Sequence, residues 1–184
     1  MHGRELLPGE HAVLGLLALR PMHGYEMARF FDRDDFAEVC PVEQSLLYSY
    51  IRNVEQRGFV AWSEERVGLR PPRKIYALTA SGRERLDAWL HATVERMRQV
   101  RLEFLLKLYF LHELDRDGER ALLHKQIAVC KTYRERLAGR VAAASGFERL
   151  VALSKLSAAE TTAAWLDRYA SELTPDPSEP GVPI

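Results

Sequence analysis

The sequence predicts a mainly α protein, in which an N-terminal winged helix-turn-helix with a two-stranded β-wing is followed by an all-helical domain. Three observations support this fold class. Apolar residues recur at helical spacing in three segments before residue 58, and two segments between residues 59 and 78 alternate as strands do. Every later segment is again helical. A chain of 184 residues is long enough for one or two small domains, each with its own core.

The first two predicted helices are short and lie close together in the sequence. Apolar side chains recur at helical spacing over residues 11–19, and Pro21 ends this helix because the residue before a proline is disfavoured in helical backbone. A tight turn over residues 22–24 leads to a second amphipathic helix over residues 25–31. Residues 32–38 are predicted to form an acidic loop.

The third predicted helix begins at Pro41 and ends at Gly58, with two faces of different character. Its apolar face comprises Leu46, Leu47, Tyr50, Ile51 and Val54. Its other face comprises Gln44, Ser45, Tyr48, Ser49 and Arg52. A helix that enters a DNA major groove about 12 Å wide needs short or hydrogen-bonding side chains and a cation of this kind. The second face is therefore a candidate DNA-reading surface.

Two alternating segments, residues 59–64 and 74–78, predict the strands of the wing. The loop between them is basic: residues 66–74 contain four Lys or Arg and no Asp or Glu, in a chain with 26 of each charge and a net charge of zero. Such a local cationic loop favours contact with an anionic partner, and duplex DNA is the commonest. The candidate contacts in and beside the wing are Tyr25, Arg70, Arg73 and Lys74.

Each of these interpretations has an alternative. The tyrosines Tyr25 and Tyr48 either donate hydrogen bonds to phosphates or pack between helices, and Arg52 either contacts DNA or is a solvated charge. Lys74 either contacts DNA or pairs with an acid on the neighbouring strand. For His23, in the turn before the second helix, a structural hydrogen bond is favoured over contact with DNA.

The chain after the wing is predicted to be helical to residue 173. Thr79 is a good N-cap for a helix whose apolar stripe reaches Met97. Residues 100–114 are apolar on all sides, residues 115–118 break the helix, and two long helices follow, the last with a possible restart at Ser157. The predicted organisation is an N-terminal arm (1–9), a DNA-binding domain with a linker helix (10–97), a helical dimerisation domain (98–173) and a disordered proline-rich tail (174–184).

The second half predicts a homodimer, because two long helices cannot cover both their own apolar seams and the apolar helix before them. Two copies related by a twofold axis would also read a palindrome. Aromatic residues in this half and in the linker helix either line a pocket for a small aromatic effector or pack in the dimer core. They are Trp89, Phe104, Tyr109 and Trp165.

Other classes of protein find little support in the composition. Cys40 and Cys130 lie far apart, and the six histidines have no metal-ligand spacing, so we expect no disulfide, metal or other cofactor. No nucleophile motif, paired-carboxylate motif or glycine-rich phosphate loop points to an enzyme. No apolar run reaches the roughly 20 residues that span a membrane, and no signal peptide is evident, so a cytoplasmic location is expected.

Several short motifs resemble the PadR family of bacterial transcriptional regulators, in the order in which that family has them. They are Leu14-Gly15-Leu16-Leu17, Pro21-Met22-His23-Gly24-Tyr25-Glu26, Leu47-Tyr48, Val54-Glu55-Gln56-Arg57-Gly58-Phe59-Val60, Arg70-Pro71-Pro72-Arg73-Lys74-Ile75-Tyr76 and Leu78-Thr79-Ala80-Ser81-Gly82-Arg83. The resemblance implies a homodimer that binds an inverted repeat of double-stranded DNA near a promoter, usually as a repressor. It also implies release from DNA by a small aromatic molecule in some relatives. A winged-helix module that binds protein instead of DNA is the alternative.

Overall fold

The computed structural model describes residues 5–66 and 72–173. The described elements up to the wing are α1 (Pro8–Leu19), β1 (Met22–His23), α2 (Gly24–Phe31), α3 (Asp34–Val39), α4 (Gln44–Gln56), β2 (Val60–Glu65) and β3 (Arg73–Leu78). Those that follow are α5 (Ala80–Leu90), α6 (Met97–Gln99), a π-helical turn (Val100–Phe104), α7 (Leu105–Leu114), α8 (Arg116–Ala143) and α9 (Gly146–Leu173). The predicted fold class is confirmed: four helices, one more than predicted, precede a β-wing, and the described chain after the wing is helical.

Helix α1 is the centre of the first compact unit, which comprises Met1–Ala92 and Arg101–Arg116. It is buried from Gly9 to Leu17 and packs against α4, α5 and α7. Helix α7 approaches closely at Gly15, where a Cβ would lie 2.5 Å from the ring of Phe110. Glycine is therefore needed at this crossing.

Contacts thus divide the chain differently from the predicted boundary between residues 97 and 98. Residues 101–116 pack with the N-terminal unit, because the apolar side chains of α7 complete the core around α1. Residues 93–100 pack with the second unit. Most of the predicted linker helix thus stays in the first unit, and only its end, residues 93–97, packs with the second.

The wing is part of a three-stranded antiparallel sheet in the order β1-β3-β2. Strand β3 pairs along its whole length with β2, from Val60 opposite Leu78 to Glu65 opposite Arg73. Residues 22–24, predicted to be a tight turn, instead contribute β1, in which Met22 lies opposite Tyr76 and His23 opposite Ile75. The start of α2 is thereby attached to the wing.

Two further predictions in the first unit are wrong. The expected acidic loop contains most of α3, because Phe36 is buried and packs edge-on against Phe31 and Tyr109, with ring centroids 5.2 Å apart in each pair. Leu46, assigned to the apolar face of α4, is 43% exposed, whereas Leu47, Ile51 and Val54 are buried.

The segment after the wing is more interrupted than the sequence suggested. Thr79 caps α5 as predicted: its hydroxyl accepts a hydrogen bond from the Gly82 N–H at 3.1 Å. The helix ends at Leu90, so the predicted stripe to Met97 is broken, although Val94 is still buried. The expected helix over residues 100–114 begins as a π-helical turn.

The second compact unit comprises Thr93–Val100 and Asp117–Ile184, of which the structure describes the part up to residue 173. Gln126 of α8 holds the segment before α6: its side-chain amide accepts from the Val94 N–H and donates to the Val94 carbonyl, each at 2.8 Å. Helix α9 is continuous, so the predicted restart at Ser157 is not observed. The predicted tail (174–184) lies outside the described residues.

Candidate nucleic-acid interface

Helix α4 presents a polar face to solvent beside the wing. Its buried side is fixed by Leu47, Ile51 and Val54, so residues on the opposite side must point outward. Gln44 and Ser45 are exposed in its first turn. Tyr48 and Ser49, which are half-buried, follow about one turn later. Arg52, which is exposed, follows after a further turn.

Tyr48 has a packing role as well as a position on this face. A Cβ on Gly24 would lie 2.9 Å from the Tyr48 ring, so the tyrosine rests on the start of α2 and needs a glycine there. Burial, followed by the nearby Glu55 carboxylate and Tyr48 phenol, raises the pKa of Tyr76 on β3. Helices α2 and α4 and strand β3 therefore meet at this point.

The start of α2 is held by a carboxylate. Glu26 accepts the His23 backbone N–H at 2.8 Å and pairs with the Arg20 guanidinium at 3.0 Å. These contacts, the backbone hydrogen bond first, lower the pKa of Glu26 against the opposing effect of burial. The helix that carries Tyr25 is thus fixed at its N-terminus.

Tyr25 and Arg73 lie against each other at the loop end of the wing strands. The guanidinium of Arg73 lies 5.6 Å from the centroid of the Tyr25 ring, and this ring stacks on the imidazole of His23 with centroids 5.4 Å apart. Tyr25 is 45% exposed and Arg73 is also exposed. A cation over an aromatic face keeps its hydrogen-bond donors available at the ring edge.

Lys74 lies on the other face of the wing, since successive residues of a strand point to opposite sides. Its ammonium group is 3.8 Å from the centroid of the Trp62 ring, and Trp62 Nε1 donates to the Glu55 carboxylate at 2.8 Å. The register places Glu64 opposite Lys74, as the alternative interpretation of this lysine required. Glu64 also lies 3.9 Å from Arg66.

Of the predicted contacts, Tyr25 and Arg73 therefore lie on one face of the wing strands and Lys74 lies on the other. Arg70 lies outside the described residues. Sequence reasoning missed Trp62 and Glu55, which support Lys74. The alternation of β2 had indicated that Trp62 and Glu64 share a face, but not that the ring would lie beneath the lysine of β3.

The four aromatic residues predicted to line an effector pocket lie in different surroundings. Trp89 stacks on His11 with centroids 4.4 Å apart and donates to Glu103 at 3.0 Å, Phe104 is fully buried, and Tyr109 packs edge-on against Phe110. In the second unit, Trp165 is half-buried on α9. Trp89, Phe104 and Tyr109 thus belong to the packed core of the first unit.

A cavity of about 530 Å³ lies nearby in the first unit, between α1, α5 and α7. Much of its wall is apolar, formed by Ala18, Leu86, Leu90, Leu111 and Leu114, but the charged residues Arg83, Glu84, Asp87 and Asp115 also line it. His91 lies at its rim, where hydrogen bonds to the Asp87 carbonyl and the Asp115 carboxylate raise the pKa of the imidazole against partial burial. None of the four predicted aromatic residues is among those that form its walls.

Within the described residues, no group of three or more His, Cys, Asp or Glu side chains is arranged to hold a metal ion. Cys40 and Cys130 are both buried thiols, and burial raises the pKa of each, that of Cys40 to about 11. No described helix combines the length and the apolar character that crossing a bilayer demands.

Four helices followed by a β-wing, together with a helical second unit, define a winged helix-turn-helix protein of the kind that carries an additional C-terminal helical region. Residues 13–88 match the transcriptional regulator PadR-like family, and residues 100–174 match the family described as virulence activator alpha C-term. Residues 13–88 therefore form a PadR-like domain.

Among named relatives, the negative transcriptional regulator PadR of Bacillus subtilis (strain 168) is 28% identical over 118 residues, or 64% of each chain. The probable transcriptional regulator Rv1176c of Mycobacterium tuberculosis (strain ATCC 25618 / H37Rv) is 32% identical over 80 residues, 44% of this chain and 42% of that protein. The chain thus matches less than two thirds of the length of either relative.

Solved structures with a similar fold include Bacillus subtilis PadR in complex with operator DNA, at 24% identity and a TM-score of 0.45, covering 90% of this chain and 98% of that one. Bacillus subtilis PadR in complex with p-coumaric acid has 23% identity and a TM-score of 0.43, covering 92% of this chain and 97% of that one.

Proposed function

We propose that this protein is a transcriptional regulator, rather than an enzyme, that binds operator DNA in the cytoplasm. In this proposal α4 enters the major groove and the wing contacts the phosphate backbone. The observation that carries it is the polar outer face of α4 beside the wing cations Arg73 and Lys74, within one compact unit. An exposed helix face of this kind fits base edges, whereas wing cations suit phosphates.

Within this interface the residues have different roles. Gln44, Ser45 and Arg52 are exposed on α4, so we assign sequence reading to them, with Tyr48 and Ser49 at the edge of the face. We assign contact with the phosphate backbone of DNA to Tyr25, Arg70, Arg73 and Lys74.

We further propose that the regulator is a repressor and acts as a homodimer on an inverted repeat. Repression is supported by the relative named as a negative regulator. Dimerisation is supported by three large apolar side chains exposed on α9: Phe147 at 78%, Leu150 at 60% and Leu153 at 44%. These residues follow each other at three-residue steps and therefore share one face of the helix, which suits an interface with a second copy.

A small aromatic effector completes the proposal. The cavity between α1, α5 and α7 supports it, because its volume and the apolar part of its wall suit an aromatic ring. Trp89, Phe104, Tyr109 and Trp165 remain the predicted contact residues, although the packing of the first three favours a core role. Isothermal titration with a panel of phenolic compounds tests this part of the proposal.

Two single substitutions test the DNA-binding function. Arg52→Ala is expected to cost about 1–3 kcal/mol on the selected site and to relax the sequence preference, since Arg52 stands on the reading face. Arg73→Ala is expected to weaken all duplexes similarly and to reduce the salt slope by about 1, because one phosphate contact is lost. Fluorescence anisotropy against selected and scrambled duplexes at several salt concentrations measures both effects.

The matched control is Arg120→Ala, which removes an exposed arginine that pairs with Asp117 in the second unit, at 2.8 Å. This variant should leave both the affinity for the selected site and the salt dependence of binding unchanged. Random-site selection that enriches no motif, together with wild-type behaviour of both interface variants, would favour the protein-interaction alternative. That alternative rests on the near-neutral charge of the domain and on its acidic segment at residues 32–38, and the acids of β2 beside the wing cations also favour it.

A further inference from the structure

His23 links the start of α2 to both strands of the wing. Its Nδ1 lies 2.8 Å from the Lys74 carbonyl oxygen on β3, and its Nε2 lies 2.9 Å from the Glu65 carboxylate on β2. The side chain is only 11% exposed. One imidazole therefore contacts both wing strands at once. One of these contacts is to Lys74, which is itself assigned to DNA contact.

Both contacts require the ring to donate. A backbone carbonyl and an ionised carboxylate can only accept hydrogen bonds, and a neutral imidazole has one N–H. The imidazolium has two, so it alone satisfies both partners without moving them. We propose that His23 is held as an imidazolium and is a positioning residue, which fixes the wing against α2 in the geometry that binds DNA.

The charges around His23 favour this state. Two carboxylates face it: Glu65 accepts from the ring, and Glu26 accepts from the backbone N–H at 2.8 Å. The ring of Tyr25 stacks on it at an interplanar angle of 12°, and an aromatic face attracts a cation. Two cations that lie farther away disfavour the imidazolium: Arg73, beyond the Tyr25 ring, and Arg20, beyond Glu26.

Loss of the ring proton would release one strand. A neutral His23 can donate a hydrogen bond to either the Lys74 carbonyl or the Glu65 carboxylate, but not to both. The acceptor on the other strand then loses its hydrogen bond. Because Arg73 and Lys74 belong to the strand at this junction, their placement against the backbone of DNA would become less well defined. The effect on DNA affinity rests on the proposed function, whereas the protonation of the ring does not.

The protonation is tested on the free protein. Long-range ¹H–¹⁵N correlation spectra of the imidazole rings distinguish the imidazolium from either neutral tautomer, and His23→Gln assigns the signal. We expect both ring nitrogens of His23 to be protonated at pH 7. A neutral tautomer at that pH would overturn the proposal, whether or not the protein binds DNA.

The positioning role is tested by comparing the wild type with Glu65→Gln. A glutamine amide can donate to Nε2 of a neutral ring or accept from the imidazolium, so both hydrogen bonds survive in either state. Glu65 is 47% exposed, so the variant should fold. We measure the dissociation constant for the selected operator at constant ionic strength, from pH 6 to pH 9.

Wild-type affinity is expected to fall roughly tenfold as His23 loses its proton, the equivalent of one charged hydrogen bond. The affinity of Glu65→Gln should change less than about threefold over the same range. If His23 acted merely as a positive charge near phosphate, Glu65→Gln would keep the full pH dependence, and that result would overturn the positioning role. Failure of both proteins to bind any selected site would instead contradict the proposed function, and the spectra would still decide the protonation.

Discussion

His11 is a buried imidazole in the core of the first unit. It is 1% exposed and stacks face to face on Trp89. Burial, and then the positive charges of Arg85 and Lys107, lower the pKa of His11 to about 3. The native protein therefore holds this ring neutral throughout the physiological range.

The neutral ring makes stability depend on pH. In the unfolded chain His11 takes up a proton near its usual pKa of 6.5, but in the native state it does so only near 3. Between these values the unfolded state binds more protons, so the stability contributed by the neutral ring is present above pH 6.5 and is lost as the pH falls. We expect His11 to account for a loss of about 2 kcal/mol between pH 7 and pH 5.

His11→Phe retains the stacking on Trp89 and removes this titration. Urea unfolding at pH 7 and pH 5 should therefore show a difference about 2 kcal/mol smaller for the variant than for the wild type. His124→Phe, at an exposed position on α8, is the control and should leave the difference unchanged. Equal pH dependence in His11→Phe and the wild type would show that His11 is not held neutral.

At the scale of elements, Gln126 holds the segment that precedes α6. Its amide pairs with both backbone groups of Val94, as a neighbouring strand would, and it is fully buried. Gln126→Met conserves the volume but leaves a buried N–H and a buried carbonyl without partners. Since each such group costs about 1–3 kcal/mol, we expect a loss of about 2–4 kcal/mol in the free energy of unfolding of the second unit.

Chemical denaturation followed by circular dichroism measures this loss. Lys125→Met is the matched control, because it makes a methionine at the exposed neighbouring position and should stay within about 0.5 kcal/mol of the wild type. A loss of less than 1 kcal/mol in Gln126→Met would indicate that water replaces the amide.

The elements that could be predicted from the sequence are those with a strong local signal. The alternation of residue types predicted both wing strands. A threonine followed by a helical pattern predicted the N-cap at Thr79. Helix α3 and β1 have no such signal, since α3 depends on a distant contact of Phe36 with α7, and β1 on pairing with β3. Periodicity also could not reveal that Leu90 ends α5, because buried Val94 continues the apolar spacing outside the helix.

The same distinction applies to the candidate site. The outward face of α4 follows from helical spacing alone, so its residues could be chosen in advance. The support of Lys74 by Trp62, and of Arg73 by Tyr25, depends on register and on packing between elements that are distant in sequence. His23 was expected to make a structural hydrogen bond, but its simultaneous contact with two strands required the sheet to be known.

At the scale of the whole molecule, the exposed apolar face of α9 predicts that the protein forms a homodimer. Replacement of Phe147, Leu150 and Leu153 by serine removes three large apolar side chains from each copy. Because burying each contributes about 1.5–3 kcal/mol, we expect the dissociation constant of the dimer to rise at least roughly 100-fold. Sedimentation equilibrium over a range of protein concentrations measures it.

The control for this variant is Lys155→Ser on the same helix, which changes an exposed charged residue and should leave the dimer intact. Circular dichroism establishes that the triple variant keeps its helices. A dimer of unchanged strength would place the interface elsewhere, whereas a monomer that also loses affinity for an inverted repeat, but not for a half-site, would connect assembly with operator binding.

The packing of α7 on α1 also affects how the chain is made. Synthesis proceeds from the N-terminus, so the wing and the proposed reading helix leave the ribosome well before Phe110, whose ring closes against Gly15. Until then α1 lacks one of the helices that cover it, and its apolar surface stays open to chaperones or to other nascent chains. A fragment that ends with the family match at residue 88 would have the same deficiency permanently. The unit that we propose to bind nucleic acid is therefore completed by residues that lie beyond the family match.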